Sequence, residues 1–155
     1  MMQSVFFKIA DHILHVKIPV DFPLMDYLPS FNSFLISDSD VNTISLLEII
    51  ISNNSVPEPV GKKVVLADNS PIWGNGFRFE EDDMHYITTM HMLDEASKVC
   101  MISSKEFRSS TIYLSNNDTA CLNLIGWFIM VAFGQGVLPY KTIMIHASTV
   151  ERNQE

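Results

Sequence analysis

Histidines are the side chains of this sequence best suited to binding a metal ion or moving a proton, and their spacing argues against a shared site. His85 and His91 are six residues apart, which on a strand places them on one face but about 20 Å from each other. His12 and His15 are three residues apart, so on a strand they point to opposite faces. Neither pair can chelate one ion. The spacing predicts structural or surface histidines and no metal site.

The acidic run of residues 80–83 is the other possible ligand set. Glu80, Glu81, Asp82 and Asp83 offer hard oxygen ligands, but they lack the alternating spacing of a calcium-binding loop. We interpret the run as a solvated turn. A metal-dependent enzyme that uses these carboxylates with His85 and His91 is disfavoured by the same spacing.

Motifs for phosphate binding or nucleophilic catalysis are missing from the sequence. The stretch Gly74-Asn75-Gly76 lacks the third glycine, the lysine and the following helix of a phosphate loop, and neither G-x-x-x-x-G-K-[ST] nor G-x-S-x-G occurs. Serines, histidines and carboxylates are plentiful, but composition without spacing does not define a triad. We therefore predict no catalytic residue and no cofactor in this chain by itself.

Composition and charge restrict the partners. The 155 residues include 18 acidic and 10 basic side chains, for a formal charge of -8, and no long basic run. A polyanion such as nucleic acid is therefore a poor partner. The apolar stretch of residues 120–133 is shorter than the roughly 20 residues that cross a bilayer, and the first 20 residues contain no unbroken apolar segment of a secretory signal. We expect a cytoplasmic protein that does not bind a membrane, with Cys100 and Cys121 as free buried thiols.

Hydrophobic periodicity predicts an α+β fold, with a mainly antiparallel sheet of several meandering strands and one long buried helix near the C-terminal end. The helix is expected at about 119–134, with Gly136 and Pro139 ending it. Its apolar residues cover nearly every direction, so it needs more cover than one small sheet offers. The expected strands are 5–9, 14–18, 44–51, 62–67, 77–79, 84–92, 99–103, 109–114 and 142–147.

The last expected strand carries a resemblance to a known family. His146-Ala147-Ser148, preceded by Ile143-Met144-Ile145 and followed by Val150-Glu151-Arg152-Asn153, resembles the segment just before the phosphate loop in the HPr kinase and phosphoenolpyruvate carboxykinase-like family. The opening Phe7-Lys8-Ile9-Ala10-Asp11-His12 and the long apolar helix are similar to the amino-terminal part of HPr-kinase-related bacterial proteins. The resemblance loosely covers most of the chain.

The resemblance implies a chain that stops before the glycine-rich loop. Residues 1–155 would form a single domain, the N-terminal portion of a larger kinase-like protein, and residues 141–155 would start its nucleotide-binding core. His146 is the one residue here that matches a family position near the nucleotide site, and a strand-end structural histidine is the competing interpretation. ATP and Mg²⁺ are implied only for the longer parent.

Two hypotheses for the function follow from the residues and the resemblance. The first is a non-catalytic recognition and assembly domain of an HPr-kinase-like, ATP-dependent kinase, packed against the kinase core or a second copy of the chain as a homo-oligomer. The second is a stand-alone α+β domain that binds a small ligand or a protein, with a pocket between the sheet and the helix, near Trp127, Met130 and Phe133.

The missing phosphate loop generates a first prediction. Titration of this chain with ATP and Mg²⁺ in a calorimeter should give no heat beyond dilution, because no glycine-rich loop, lysine and hydroxyl hold the phosphates. Binding at micromolar concentration, or release of phosphate, would contradict it.

Overall fold

The chain folds around one broad mixed sheet. The computed structural model describes residues 1–38, 46–70, 76–91, 98–114 and 119–144. Within these ranges nine strands, most of them antiparallel to their neighbours, form one sheet with a long helix near the C-terminal end. The predicted α+β class is consistent with this arrangement.

Most strands lie close to where periodicity places them. They are β1 (Met2–Ile9), β2 (His12–Pro19), β3 (Leu35–Ile36), β4 (Leu46–Ser52), β5 (Val64–Ala67), β6 (Phe77–Glu81), β7 (His85–His91), β8 (Lys98–Ser104) and β9 (Ser109–Leu114). A single-turn helix α1 (Leu24–Tyr27), a 3₁₀ segment (Pro29–Phe34), the long helix α2 (Thr119–Val137) and a 3₁₀ turn (Leu138–Tyr140) complete the described elements.

The order of the strands is β3-β1-β2-β4-β9-β8-β7-β6-β5. The strands β5 to β9 are consecutive neighbours and confirm the predicted meander, and β1 and β2 form an antiparallel hairpin. Strand β4 lies between these two units and is parallel to both β2 and β9. Periodicity predicted a strand at 44–51 but not its parallel direction. A buried strand has the same pattern in either direction.

Helix α2 covers one face of the central strands. It packs onto β4, β8 and β9. Its Ile125, Phe128 and Ile129 are fully buried with Ile49 and Ile112 of the sheet. Burial of such side chains contributes about 1.5–3 kcal/mol each, so this helix–sheet interface is the main core.

The opposite face of the sheet is crossed by an extended segment, residues 53–63, which we call the strap. It connects β4, the fourth strand in the order, with β5 at the far edge. Five strand spacings of about 4.8 Å are about 24 Å, well within the ~36 Å that eleven extended residues can span. Pro57 and Pro59 suit this path, since they favour extended backbone without ladder hydrogen bonds.

The C-terminal end of α2 differs from the prediction. The helix continues through Gly136 to Val137, and the 3₁₀ turn that contains Pro139 follows. A Cβ at Gly136 would lie 2.7 Å from Leu47 Cδ2 and 2.9 Å from the Phe107 carbonyl oxygen. Gly136 therefore allows the helix to approach the sheet, rather than ending the helix.

Residues 141–144 are the described start of the stretch predicted as a strand and as the beginning of a nucleotide-binding core. Lys141 has a left-handed backbone and Thr142 to Met144 are irregular, so the strand expected from Thr142 is not formed there. The rest of that prediction, residues 145–155, lies outside the described residues.

Two glycines of α2 provide a matched test of this packing. Gly136→Ala should lower the free energy of unfolding by about 1–2 kcal/mol, because overpacking outweighs the helix propensity that alanine adds. Gly134→Ala should raise it by up to ~1 kcal/mol, since its Cβ would meet only Met144 Cε at 3.5 Å. Urea unfolding measures both; equal stabilisation by the two variants would show that α2 does not approach β4 this closely.

Candidate functional site

His146, the site residue that the resemblance suggested, lies outside the described residues. Along the chain, the described residue nearest to His146 whose side chain makes a polar contact is Thr142. Its hydroxyl lies 2.8 Å from Nε2 of His12. His12 is buried among Phe133 and Tyr140 on the helix-covered face. This histidine therefore helps to hold the segment after α2 against the sheet.

The acidic run is not the solvated turn that its composition indicated. Glu80 and Asp82 are only 4% and 5% exposed, and residues up to Glu81 belong to β6. Glu80 is buried because Lys63 Nζ and Arg78 Nε lie 2.7 Å and 3.1 Å from its two carboxylate oxygens. Buried carboxylates require such partners. Arg78 is only two residues before Glu80 on β6, but Lys63 comes from the strap, and a local pattern does not reveal it.

Asp82 fixes the end of the strap. One carboxylate oxygen accepts a hydrogen bond from the Val60 N–H at 2.8 Å, and the other accepts from the N–H groups of Met84 and His85. Burial by itself would raise the pKa of Asp82, but these three donors and the nearby His85 outweigh it, so the pKa is lowered. The ionised carboxylate is the form that holds Val60 in place.

Open cavities lie between the strap and the sheet, on the face opposite α2. A cavity of about 490 Å³ lies between Val56 to Pro59 and the strands β6 to β8, and an adjoining one of about 430 Å³ extends below residues 53–56. A third, of about 280 Å³, lies on the other side of the strap beside Asp82 and His85. Pockets of this size accommodate small ligands.

The first two cavities adjoin each other, and both are lined by Val56, Lys98 and Cys100. We call them together the strap-face cavity. Cys100 and Cys121 are both buried and form no disulfide, as predicted. Burial raises the pKa of Cys100, so its thiol is neutral and does not act as a nucleophile near pH 7.

A chain of three neighbouring polar side chains lies at the other end of the same face. His15 Nε2 is 2.9 Å from the Ser4 hydroxyl and His15 Nδ1 is 3.5 Å from Glu48 Oε2. This is the order of nucleophile, base and acid in a catalytic triad. Sequence reasoning missed it, because the three residues come from three different strands.

The surroundings of this network favour a structural role. Glu48 is more closely paired with Lys17, at 2.6 Å, than with His15, and the His15 ring stacks on Phe6. Burial, followed by the charge of Lys17, lowers the pKa of His15, so its ring is neutral near pH 7. The N–H groups of a strand lie in the plane of the sheet and do not face a substrate above Ser4, which leaves the arrangement without oxyanion donors from β1.

Apolar side chains at the C-terminal end of the described chain face solvent. Leu138 is 56% exposed, Ile143 75% and Met144 47%, and we call them the C-terminal apolar surface. The preceding helix carries the partly exposed Trp127 and Met130. By length and composition, the stretch Cys121–Tyr140 is long and apolar enough to cross a membrane. Buried core helices share this property. The buried Ile125, Phe128 and Ile129 place this helix in the core.

Comparisons with known proteins give no relative for this chain: no family model, no curated protein and no solved structure matches it.

Asp82 provides the prediction from this site. Asp82→Asn should cost about 1–3 kcal/mol of unfolding free energy, because an amide leaves at least one buried N–H donor without an acceptor. Hydrogen exchange of the Val60 amide should accelerate. Asp68→Asn, in an exposed turn, is the control and should change neither.

The pH dependence gives a second readout of the same contact. Because the folded pKa of Asp82 is lowered, its contribution is present at neutral pH and is lost as the pH falls from about 4 through that pKa. Val60 protection in the unmodified chain should follow this loss, while Asp82→Asn should not. Unchanged Val60 exchange in the variant would show that Asp82 does not fix the strap.

Proposed function

We propose that this chain is the non-catalytic N-terminal recognition and assembly domain of an HPr-kinase-like, ATP-dependent kinase. It would pack against the kinase core or a second copy of itself, in the cytoplasm. The observation that carries the proposal is the C-terminal apolar surface, which directly precedes the family-like His146 segment. ATP and Mg²⁺ would belong to the longer protein.

The energetics of that surface support an interface. Leu138, Ile143 and Met144 are close together in the chain and between 47% and 75% exposed. Complete burial of such a side chain is worth about 1.5–3 kcal/mol, and clustered exposed apolar residues are typical of interaction sites. Trp127 and Met130 of α2 are also partly exposed and would gain cover from such a partner.

The charge pattern is compatible with this role. The chain carries a formal charge of -8, but the described residues of the C-terminal apolar surface include no acidic side chain from Val137 to Met144. A low local charge reduces the desolvation cost of association. Arg108, which donates to the Tyr140 hydroxyl at 2.8 Å, lies at its border and could form a polar rim contact.

Self-association tests the proposal directly. At tens of micromolar, light scattering after size exclusion should give a mass near twice the 17.6 kDa of the chain. Ile143→Asp should shift the mass towards the monomer, because a charge replaces a side chain that is buried in the dimer. Val20→Asp replaces an apolar residue that is 43% exposed, in the turn after β2, and should leave the mass unchanged.

The coding sequence after codon 155 separates the two partners. If the partner is the kinase core, a G-x-x-x-x-G-K-[ST] motif should follow within about 20 residues. A monomeric chain whose gene contains no such motif there would overturn the proposal and favour a stand-alone domain. A dimer that Ile143→Asp and Val20→Asp leave equally intact would show that the C-terminal apolar surface is not the interface.

A further inference from the structure

The strap-face cavity combines an apolar interior with a basic border. Ile87 and Cys100 lie on the face away from α2, yet they are only 6% and 4% exposed. Val56 and Pro57 of the strap line the cavity together with them. An apolar body of small size would therefore contact Ile87 and Cys100 between the strap and β7 and β8.

Three cations line the same cavity. Lys63, Arg78 and Lys98 account for three of the ten basic residues of the chain, and Glu58 and Glu80 are the acidic residues among the described residues of the lining. Among these described lining residues the balance is one positive charge, in a chain of formal charge -8. Such an inversion attracts an anion to one place on a surface that otherwise repels it.

Glu80 fixes two of these cations in position. It is 4% exposed and bound by Lys63 Nζ at 2.7 Å and Arg78 Nε at 3.1 Å. The guanidinium has five N–H donors in a planar fork, and the contact with Glu80 is made through Nε, so Arg78 retains the capacity to donate to a second acceptor. Groups held in place before binding lose less entropy when a ligand arrives.

The Cys100 thiol and the Thr89 hydroxyl, which also line the cavity, carry no negative charge that would repel an anion. Burial raises the pKa of the Cys100 thiol, and Thr89 forms a hydrogen bond with it. A neutral thiol and a hydroxyl are compatible with either an apolar or a polar part of a ligand.

We propose that the strap-face cavity binds a small amphipathic anion, with a carboxylate or phosphate group at Lys98 and Arg78 and an apolar body over Ile87, Cys100 and Ile102. The site is on the face opposite α2 and does not depend on the assembly role proposed above. The sequence also suggested a stand-alone α+β binding domain with a pocket beside the helix. The strap-face cavity would give such a domain a ligand class, at a different place in the fold.

The probe for this site is 8-anilinonaphthalene-1-sulfonate, with the uncharged N-phenyl-1-naphthylamine as its matched control. Fluorescence titration should show that Lys98→Gln weakens binding of the sulfonate roughly 2- to 5-fold, the effect of one solvent-exposed ion pair. Binding of the uncharged probe should not change. Lys105→Gln, on the other face of the sheet where Lys105 pairs with Glu81, should affect neither probe.

Amide chemical shifts locate the probe and distinguish this site from the C-terminal apolar surface. Saturable shifts should appear at Ile87, Cys100 and Ile102. Shifts confined to Leu138, Ile143 and Met144 would overturn the proposal, as would identical effects of Lys98→Gln and Lys105→Gln. Lys98 is exposed and Lys105 is partly exposed, and circular dichroism checks that the variants are folded.

Displacement of the sulfonate identifies the anionic group. Benzoate and phenyl phosphate share an apolar ring and differ in the anion, so the one that competes at lower concentration defines the preferred head group. Competition by either supports the site. Failure of both at millimolar concentration would overturn it.

Discussion

Strand β4 determines how the two faces of the sheet are covered. It lies between β2 and β9 and is parallel to both, so the chain cannot leave it by a tight hairpin to either neighbour. Instead the chain crosses the sheet to the far edge and returns strand by strand to β9. One face is thereby left for α2 and the other is crossed by the strap, which is the condition for the strap-face cavity.

Ion pairing on the strap face follows from that crossing. Strap residue Lys63 and β6 residue Arg78 meet Glu80, and the Val60 N–H meets Asp82. Burial of either carboxylate without these donors would cost free energy. Paired with the donors, the two carboxylates hold the strap in place above β7 and β8. Helix α2 packs onto β4, β8 and β9 on one face, and the ion pairs of the strap act on β6 and Asp82 on the other. The proposed ligand site therefore lies on the face opposite α2.

Sequence patterns predicted the local elements well where one face of a strand or helix is buried. The alternation in residues 99–103 and 109–114 gave β8 and β9 almost to the residue, and the apolar run after Thr119 gave α2. The prediction was wrong at Gly136, because a glycine that ends a helix and a glycine that allows close contact with Leu47 have the same local sequence. It was also wrong for Glu80 and Asp82, since polar composition indicates exposure unless partners from elsewhere are known.

By itself, the sequence determined the α+β class, the strong net negative charge, the two free thiols and the absence of a phosphate loop within these residues, all of which are local or compositional properties. Only the tertiary structure decided that β4 is central and parallel, that the strap crosses the face opposite α2, and that Ser4, His15 and Glu48 meet. Those features depend on contacts between residues distant in the chain, and hydrophobic periodicity reports which side of an element is buried, not which element it is buried against.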